Sequence, residues 1–264
     1  MNLVVIVTGG SSGIGLSAAK LFRARGCRVY ELSRRDVTHP DGVVHICADV
    51  ADEAAVAQAV AQVEEKEGRV DILLCNAGFG ISGAAEFTEN RDAKRLLEVN
   101  LFGMVNAVKA VLPIMRHQGS GKILCISSVA AAVSIPFQAW YSVSKSAVSA
   151  YAGALREEVH PFGIQVCAIL PGDICTGFTG SREKSPVGDD VYGGRIARSV
   201  AVMERDERSG MTPRKAAGRI VRIAMKKRVK PSYTIGFSYS LVMLLTRILP
   251  GTMLSWIVRM IYGK

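Results

Sequence analysis

The sequence is short of several things, and each shortage closes off a class of function. Its six cysteines form no C-x-x-C pair, so neither a zinc ribbon nor thioredoxin-type dithiol chemistry is indicated. Its four histidines, His39, His45, His117 and His160, stand apart without ligand spacing; no metal is expected, and they read as ordinary polar residues. Aromatic residues make up only 6%. No basic stripe interleaved with them and no zinc-finger spacing occurs, which argues against a nucleic-acid partner despite a net charge of +10. The Walker pattern G-x4-G-K-[ST] is absent, since Gly121-Lys122 is followed by Ile123. A spanning helix wants about 20 mostly uncharged residues. The most apolar stretch, 241–262, is broken by Arg247, Pro250-Gly251 and Arg259. No charged region, apolar stretch and small-residue cleavage site precede the first strand, so a secretory signal is not expected. Internal repeats and low-complexity tracts are missing too.

What is present is an ordinary globular balance, 49% hydrophobic and 21% charged in 264 residues. That length fits one large domain and can bury most of the surface its unfolded chain exposes. Cys47, Cys75, Cys125 and Cys167 lie in apolar runs and read as small buried hydrophobes in a reducing, cytoplasmic compartment. The basic residues are dispersed, apart from Lys226-Lys227-Arg228 and Lys230. An anionic cofactor or an anionic membrane surface would both use such charge.

The chain is organised around its start. Residues 3–7 are five consecutive apolar residues, which read as a strand buried on both faces. Thr8-Gly9-Gly10-Ser11-Ser12-Gly13-Ile14-Gly15 forms a glycine-rich turn, and 16–25 has helical spacing ending at Gly26. Strand, glycine turn and helix hold a pyrophosphate well: backbone N–H groups are free, and the helix start carries partial positive charge. Further strands are predicted at 28–32, 43–48, 71–75, 122–126 and 165–170. Helical patterns cover 53–65, about 91–116 with Pro113 kinking or ending it, and 141–159. Another opens at Thr212-Pro213 and runs to about 227. Alternating strands and helices predict an α/β fold, a doubly wound parallel sheet with ligands at the carboxyl ends of its strands. Residues 179–208 read either as a mobile lid with a short helix or as a solvated insertion.

Tyr141 and Lys145 are four apart on one helix face. A phenol has a reference pKa of about 10; a neighbouring ammonium favours the phenolate and makes it a better acid/base. Ser128, at a strand end, can offer a hydroxyl to a carbonyl oxygen. Taken alone, a Tyr-x3-Lys pair is also what a solvated amphipathic helix shows.

Taken together, these motifs resemble the short-chain dehydrogenase/reductase family. The resemblance rests on Thr8-Gly9-x3-Gly13-Ile14-Gly15, Asn76-Ala77-Gly78, Asn100-Leu101-Phe102-Gly103, Ser128 with Tyr141 and Lys145, and Pro171-Gly172 with Thr176. It covers residues 3–176, and the Ser128-to-Tyr141 offset selects Ser128 over Ser127. The resemblance implies a single Rossmann-type domain and reversible hydride transfer between a nicotinamide and a carbonyl/secondary-alcohol pair. Tyr141 would be the acid/base and Ser128 would orient the substrate oxygen. Lys145 would bind the ribose and depress the Tyr141 pKa, while Asn100 would hold a relay water. Thr8, Gly9, Ser11, Ser12, Gly13, Ile14 and Gly15 would cradle the cofactor. Asp49 and Val50 would flank its adenine, Asn76, Ala77 and Gly78 would support it, and Pro171, Gly172, Ile174 and Thr176 would meet the nicotinamide. The resemblance also implies a homo-oligomer.

After the second strand comes Ser33-Arg34-Arg35 where an acid would favour NAD(H). Arginine is the natural phosphate partner, so NADP(H) is expected over NAD(H), with Asp36 tempering the preference. Phe79, Ile81, Val133, Ile135, Phe137, Trp140 and Phe178 flank the catalytic positions. They read as a pocket for a lipid-like ketone or alcohol such as a steroid or retinoid, or else as core. The rival from another class is a nucleotide-bound redox sensor or scaffold without catalysis. The expected organisation is 1–235 as the domain, including a variable substrate loop at 178–210. An apolar, amphipathic helical extension of the same domain follows at 236–264. That extension is expected first to pack on the protein or a subunit, and second to touch a membrane peripherally.

Overall fold

The computed structural model describes residues 2–262; Met1, Gly263 and Lys264, the outer ends of the two expected segments, lie outside the described residues. The strands are β1 (Val4–Thr8), β2 (Arg28–Ser33), β3 (Val44–Cys47), β4 (Ile72–Cys75), β5 (Ile81–Ser82), β6 (Gly121–Ile126), β7 (Ile164–Pro171), β8 (Glu183–Lys184) and β9 (Ser232–Ile235). The helices are α1 (Gly13–Arg23), α2 (Glu53–Glu67), α3 (Asn90–Leu97), α4 (Gly103–Gln118), α5 (Ala139–Val159), α6 (Phe178–Ser181), α7 (Arg195–Arg208), α8 (Pro213–Ala224), α9 (Phe237–Ile248) and α10 (Gly251–Tyr262).

Seven strands form one parallel sheet in the order β3-β2-β1-β4-β6-β7-β9. Every strand therefore needs a crossover, and the helices fall on both faces. The pleat of β1 shows the division: Val4 and Ile6 join the layer under α2, α4 and α5, while Val5 and Val7 join the layer under α1 and α8. Both faces of β1 are buried, which is why the sequence there is a continuous apolar run rather than an alternation. Strand order reverses between β1 and β4, the switch point at whose carboxyl ends an open α/β sheet forms its ligand crevice.

The doubly wound α/β sheet agrees with the expectation, with local differences. The edge strand β9 and the small β5–β8 pair were not anticipated. They are four and two residues long, too short to show a period. Pro113 does not end its helix but sits inside α4 on the exposed side, where the carbonyl left without a donor can face water. The interruption falls instead at Glu98–Phe102, a π-helical segment between α3 and α4. Cys75, Cys125 and Cys167 are buried as expected, but Cys47, at the end of edge strand β3, is exposed.

Residues 178–210 are docked rather than freely solvated. Ile196 and Met203 of α7 are buried. Glu207 pairs with the buried guanidinium of Arg182 and accepts the Thr179 hydroxyl at 2.7 Å. The tail is helical, as anticipated, and is divided into the two short helices α9 and α10.

Candidate active site

The glycine-rich turn carries the chain from β1 into α1. Thr8 closes the strand end: its Oγ1 accepts from the Asn76 and Ala77 amides at 3.0 and 3.1 Å, and the Asn76 side chain donates to the Thr8 and Gly9 carbonyls at 3.1 Å. Asn76 thus ties β4 to β1 beneath the turn. A Cβ on Gly15 would lie 2.3 Å from the Gly9 carbonyl oxygen and 2.5 Å from the Asn76 amide nitrogen, so the turn closes only around glycine. Gly13 has φ +56, and a Cβ there would point across to Thr176 at 3.7 Å. Ser12, at the N-cap, makes no capping bond with its side chain, and the first turn of α1 contains no acid. The helix therefore presents free amide donors and an uncompensated positive end toward the crevice, flanked by Ser11, Ser12 and Ile14. These features fit the pyrophosphate of a dinucleotide.

Around this start stand the other expected positions. Asp49 accepts the Ala51 amide at 3.0 Å, and Val50 packs where a Cβ on Gly103 would come within 2.7 Å. Ser33 is buried at the end of β2, with Arg34 and Arg35 exposed beyond it. Pro171 ends β7, and Gly172 donates its amide to the Ile235 carbonyl at 3.1 Å. The side chains of Val50 and Ile174 belong to the two core layers, on opposite faces of the sheet.

On the far side of the crevice, α5 carries Tyr141 and Lys145. Lys145 is buried and donates from Nζ to the Ile126 carbonyl at 3.0 Å. Its ammonium lies 5.8 Å from the centre of the Tyr141 ring. Ser127 and Ser128, adjacent in sequence, face different tasks. Ser127 donates to the Lys145 carbonyl at 2.8 Å and so fastens α5 to β6. Ser128 accepts the Ala130 amide at 3.1 Å, and its hydroxyl is near enough to the Tyr141 phenol to favour the phenolate. Asn100, in the π segment, accepts the Phe79 amide and donates to the Phe79 carbonyl, both at 2.9 Å, and donates to Ser144 Oγ at 3.1 Å. It bridges the loop after β4 to α5. A Cβ on Gly78 would lie 2.9 Å from Asn100 Oδ1 and 3.5 Å from Lys145 Nζ, so Gly78 lets these two side chains approach that loop.

The electrostatics differ from the simple pairing expected. Burial pushes the Tyr141 phenol up to about 12, with the Ser128 hydrogen bond pulling the other way. Burial also pushes the Lys145 ammonium down to about 8. Desolvation, rather than Lys145, is thus the leading influence on the phenol in the folded chain. The Phe178 ring stands 5.8 Å from the Tyr141 ring and forms part of its apolar surroundings.

Two clusters escaped the sequence reading. Glu31, fully buried on β2, gathers His39 and His45. Tyr239 of α9 lies against Gly172 and Asp173. The signal for the first was a glutamate inside an otherwise apolar strand; the second is a contact distant in sequence that no local pattern announces.

A groove that fits a dinucleotide, with a phenol able to move a proton beside it, places the molecule among the dinucleotide-dependent oxidoreductases. The sequence model of short chain dehydrogenases matches residues 3–186, and the chain belongs to the short-chain dehydrogenase/reductase family. It is an NAD(P)-dependent oxidoreductase of the CH–OH/C=O type. Among its relatives, a 3-ketodihydrosphingosine reductase of Bacteroides thetaiotaomicron is 38% identical over 268 residues, covering 98% of each chain. The short-chain type dehydrogenase/reductase VdlC of Helicobacter pylori is 32% identical over 94% of each chain. Among solved structures, a short-chain dehydrogenase from Streptomyces avermitilis superposes with a TM-score of 0.82 at 30% identity, covering 93% of this chain and 95% of that one.

Proposed function

We propose that the protein is an NADP(H)-dependent oxidoreductase of a lipid-like ketone or alcohol, with Tyr141 moving the hydroxyl proton. The observation that carries the substrate class is the apolar setting of that phenol: Phe178 stands against its ring, and burial leads its displacement to about 12. An apolar chain loses water favourably against such a wall. The 38% identity to a 3-ketodihydrosphingosine reductase, over nearly the whole of both chains, supports the same class and makes 3-ketodihydrosphingosine the first substrate to test.

The nicotinamide, when bound, supplies or accepts the hydride. In reduction Tyr141 gives its proton to the carbonyl oxygen, and in oxidation it takes the proton back. A phenol this high is protonated at neutral pH, so the resting site is loaded to give. Ser128, near the phenol, orients the same oxygen. Lys145, held by the Ile126 carbonyl, places positive charge where the phenolate forms. Asn100 holds the loop after β4 against α5 and, through its remaining acceptor capacity, serves the relay water expected there. Arg34 and Arg35, exposed beyond β2, are the partners of a 2′-phosphate, with NAD(H) the poorer cofactor.

The test is consumption of NADPH and NADH with 3-ketodihydrosphingosine and with small polar ketones, Tyr141→Phe being the control. Turnover of the long-chain ketone, fastest with NADPH and lost in the variant, supports the proposal. Turnover of small polar ketones alone removes the lipid substrate, and a preference for NADH removes the cofactor assignment.

A second reading concerns the tail, which we propose touches an anionic membrane surface. Along α9, Phe237, Leu241, Leu244 and Ile248 form an exposed stripe at helical spacing, and Met253 and Trp256 of α10 are exposed beside it. Beyond Glu207 the sequence contains no aspartate or glutamate, while lysines and arginines continue to its end. An apolar stripe within an acid-free, basic region suits a surface of anionic headgroups.

A further inference from the structure

Glu31 has no exposed surface, and nothing in the chemistry above uses it. Its Oε1 is the focus of three contacts: Ser33 Oγ at 3.3 Å, His39 Nε2 at 3.1 Å and His45 Nδ1 at 2.5 Å. An ionised carboxylate only accepts, so both imidazoles turn an N–H toward it. Its Oε2, and the other ring nitrogen of His45, are buried without a partner among the described residues. A buried carboxylate is tolerated when its surroundings compensate it, and no lysine or arginine pairs with it among the described residues.

The three partners come from three places. Ser33 is at the end of β2, next to Arg34 and Arg35. His45 is the register partner of Glu31 on β3. His39 comes from the middle of the segment between these strands, the segment that begins with Arg34 and Arg35. From above, the glycine-rich turn rests on the same side chain, since a Cβ on Gly10 would lie 2.4 Å from Glu31 Cβ. The segment's other ties lie near the surface: Lys20 pairs with Asp41 at 2.8 Å with both side chains 46% exposed, the exposed Arg34 guanidinium lies 3.9 Å from the Asp49 carboxylate, and the exposed Cys47 thiol contacts the Arg34 carbonyl at 3.6 Å. The His39 side chain is only 6% exposed, so its bond to Glu31 is the buried anchor.

We propose that Glu31, His39 and His45 form a latch that sets cofactor choice. They are positioning residues that hold the Arg34–Arg35 segment down beside the turn, so that its guanidinium groups meet the 2′ substituent of the adenosine ribose. This rests on the assignment of Arg34 and Arg35 as phosphate partners. The latch acts on the 2′-phosphate through those arginines, so a cofactor lacking that phosphate does not feel it.

The test is isothermal titration of the full-length protein with NADPH and with NADH, which needs no turnover. The variants are His39→Gln, Glu31→Gln and Arg34→Ala/Arg35→Ala, with His39→Gln also made in the double-alanine background. The expected result for His39→Gln is NADPH binding weakened about tenfold and NADH binding changed less than about twofold. In the double-alanine background His39→Gln then adds nothing, because two changes in one chain of action are not additive. Glu31→Gln should follow His39→Gln; should it fail to fold, His39→Gln carries the test alone. Equal weakening of both cofactors, no weakening of either, or an undiminished NADPH loss in the double-alanine background overturns the latch while leaving the NADP(H) assignment standing. A wild-type protein that binds NADH as tightly as NADPH overturns the assignment and the latch together.

Discussion

Tyr239 lays its ring against Gly172 and donates a hydrogen bond from its hydroxyl to the Asp173 carboxylate. Burial raises the Asp173 carboxyl above its ordinary range, the Tyr239 hydroxyl offsetting part of the rise. Tyr239 belongs to α9, so the tail touches the segment after β7 at the residues expected to meet the nicotinamide. Tyr239→Ala removes both ring and hydroxyl and should lower kcat/KM about tenfold. Tyr239→Phe keeps the packing and should cost about 1 kcal/mol of stability or less. Steady-state kinetics and urea melts of the two variants check this pair of expectations.

Tyr141→Phe deletes the hydroxyl proposed as proton donor but keeps the ring beside Phe178. Its kcat should fall by about 10²–10⁴, while NADPH affinity measured by titration stays within about twofold. A loss of affinity matching the loss of turnover would give Tyr141 a binding role instead.

Lys145 and Tyr141 should leave opposite marks on stability against pH. Burial lowers Lys145 from 10.5 to about 8, so between these values the unfolded chain binds the extra proton and stability rises with pH. Burial raises Tyr141 from 10.0 to about 12, so there the folded chain holds the extra proton and stability falls as pH climbs. Urea unfolding of wild type, Lys145→Met and Tyr141→Phe from pH 7 to pH 12 should show each slope vanish with its residue. At pH 7, Lys145→Met should also stabilise the fold by about 1–4 kcal/mol, because an apolar side chain replaces a buried charge, while turnover is lost.

Gly15→Ala should abolish cofactor binding. The new methyl would meet the Gly9 carbonyl oxygen at 2.3 Å, and backbone cannot yield as a flexible side chain can. Titration with NADPH reads the loss, and circular dichroism should show the sheet retained.

For the tail, flotation with vesicles containing anionic phospholipid should carry the full chain upward and leave behind a chain ending at Ile235. Zwitterionic vesicles should carry less of either, since the basic residues contribute only where the surface is charged. Equal behaviour of the two chains would remove the membrane contact.

The central sheet was legible because buried parallel strands are written as apolar runs, and the turn was legible because Gly9, Gly13 and Gly15 have a spacing of their own. Lys145 was legible as a position, four residues after Tyr141, but its electrostatic state was not. The two shifts come from how much of the chain surrounds each group, which no spacing records. Glu31 with His39 and His45 was missed for a related reason. His39 and His45 have no ligand spacing along the chain; the pairing of β2 with β3 brings His45 to Glu31 in register, and the segment between the strands returns His39 to the same carboxylate. Strand β9 carries too few residues to show a pattern, and its place at the sheet edge is set by β7 rather than by its own sequence.

The π segment at Glu98–Phe102 acts as a phase shift. A helical residue advances about 100° around the axis, so one residue more or less turns everything after it by that angle. Ala93 and Leu96 before the segment, and Met104, Ala107, Val108 and Val111 after it, are all buried, so both flanks of the segment face the interior. A π turn takes up one residue more than the α turn it replaces. Removing one residue there would let the run close as a continuous α-helix with α3 and α4 still facing the interior, while the Asn100 side chain would lose the place from which it reaches Phe79 and Ser144. The extra residue of this long helical run therefore serves Asn100 rather than the core around it.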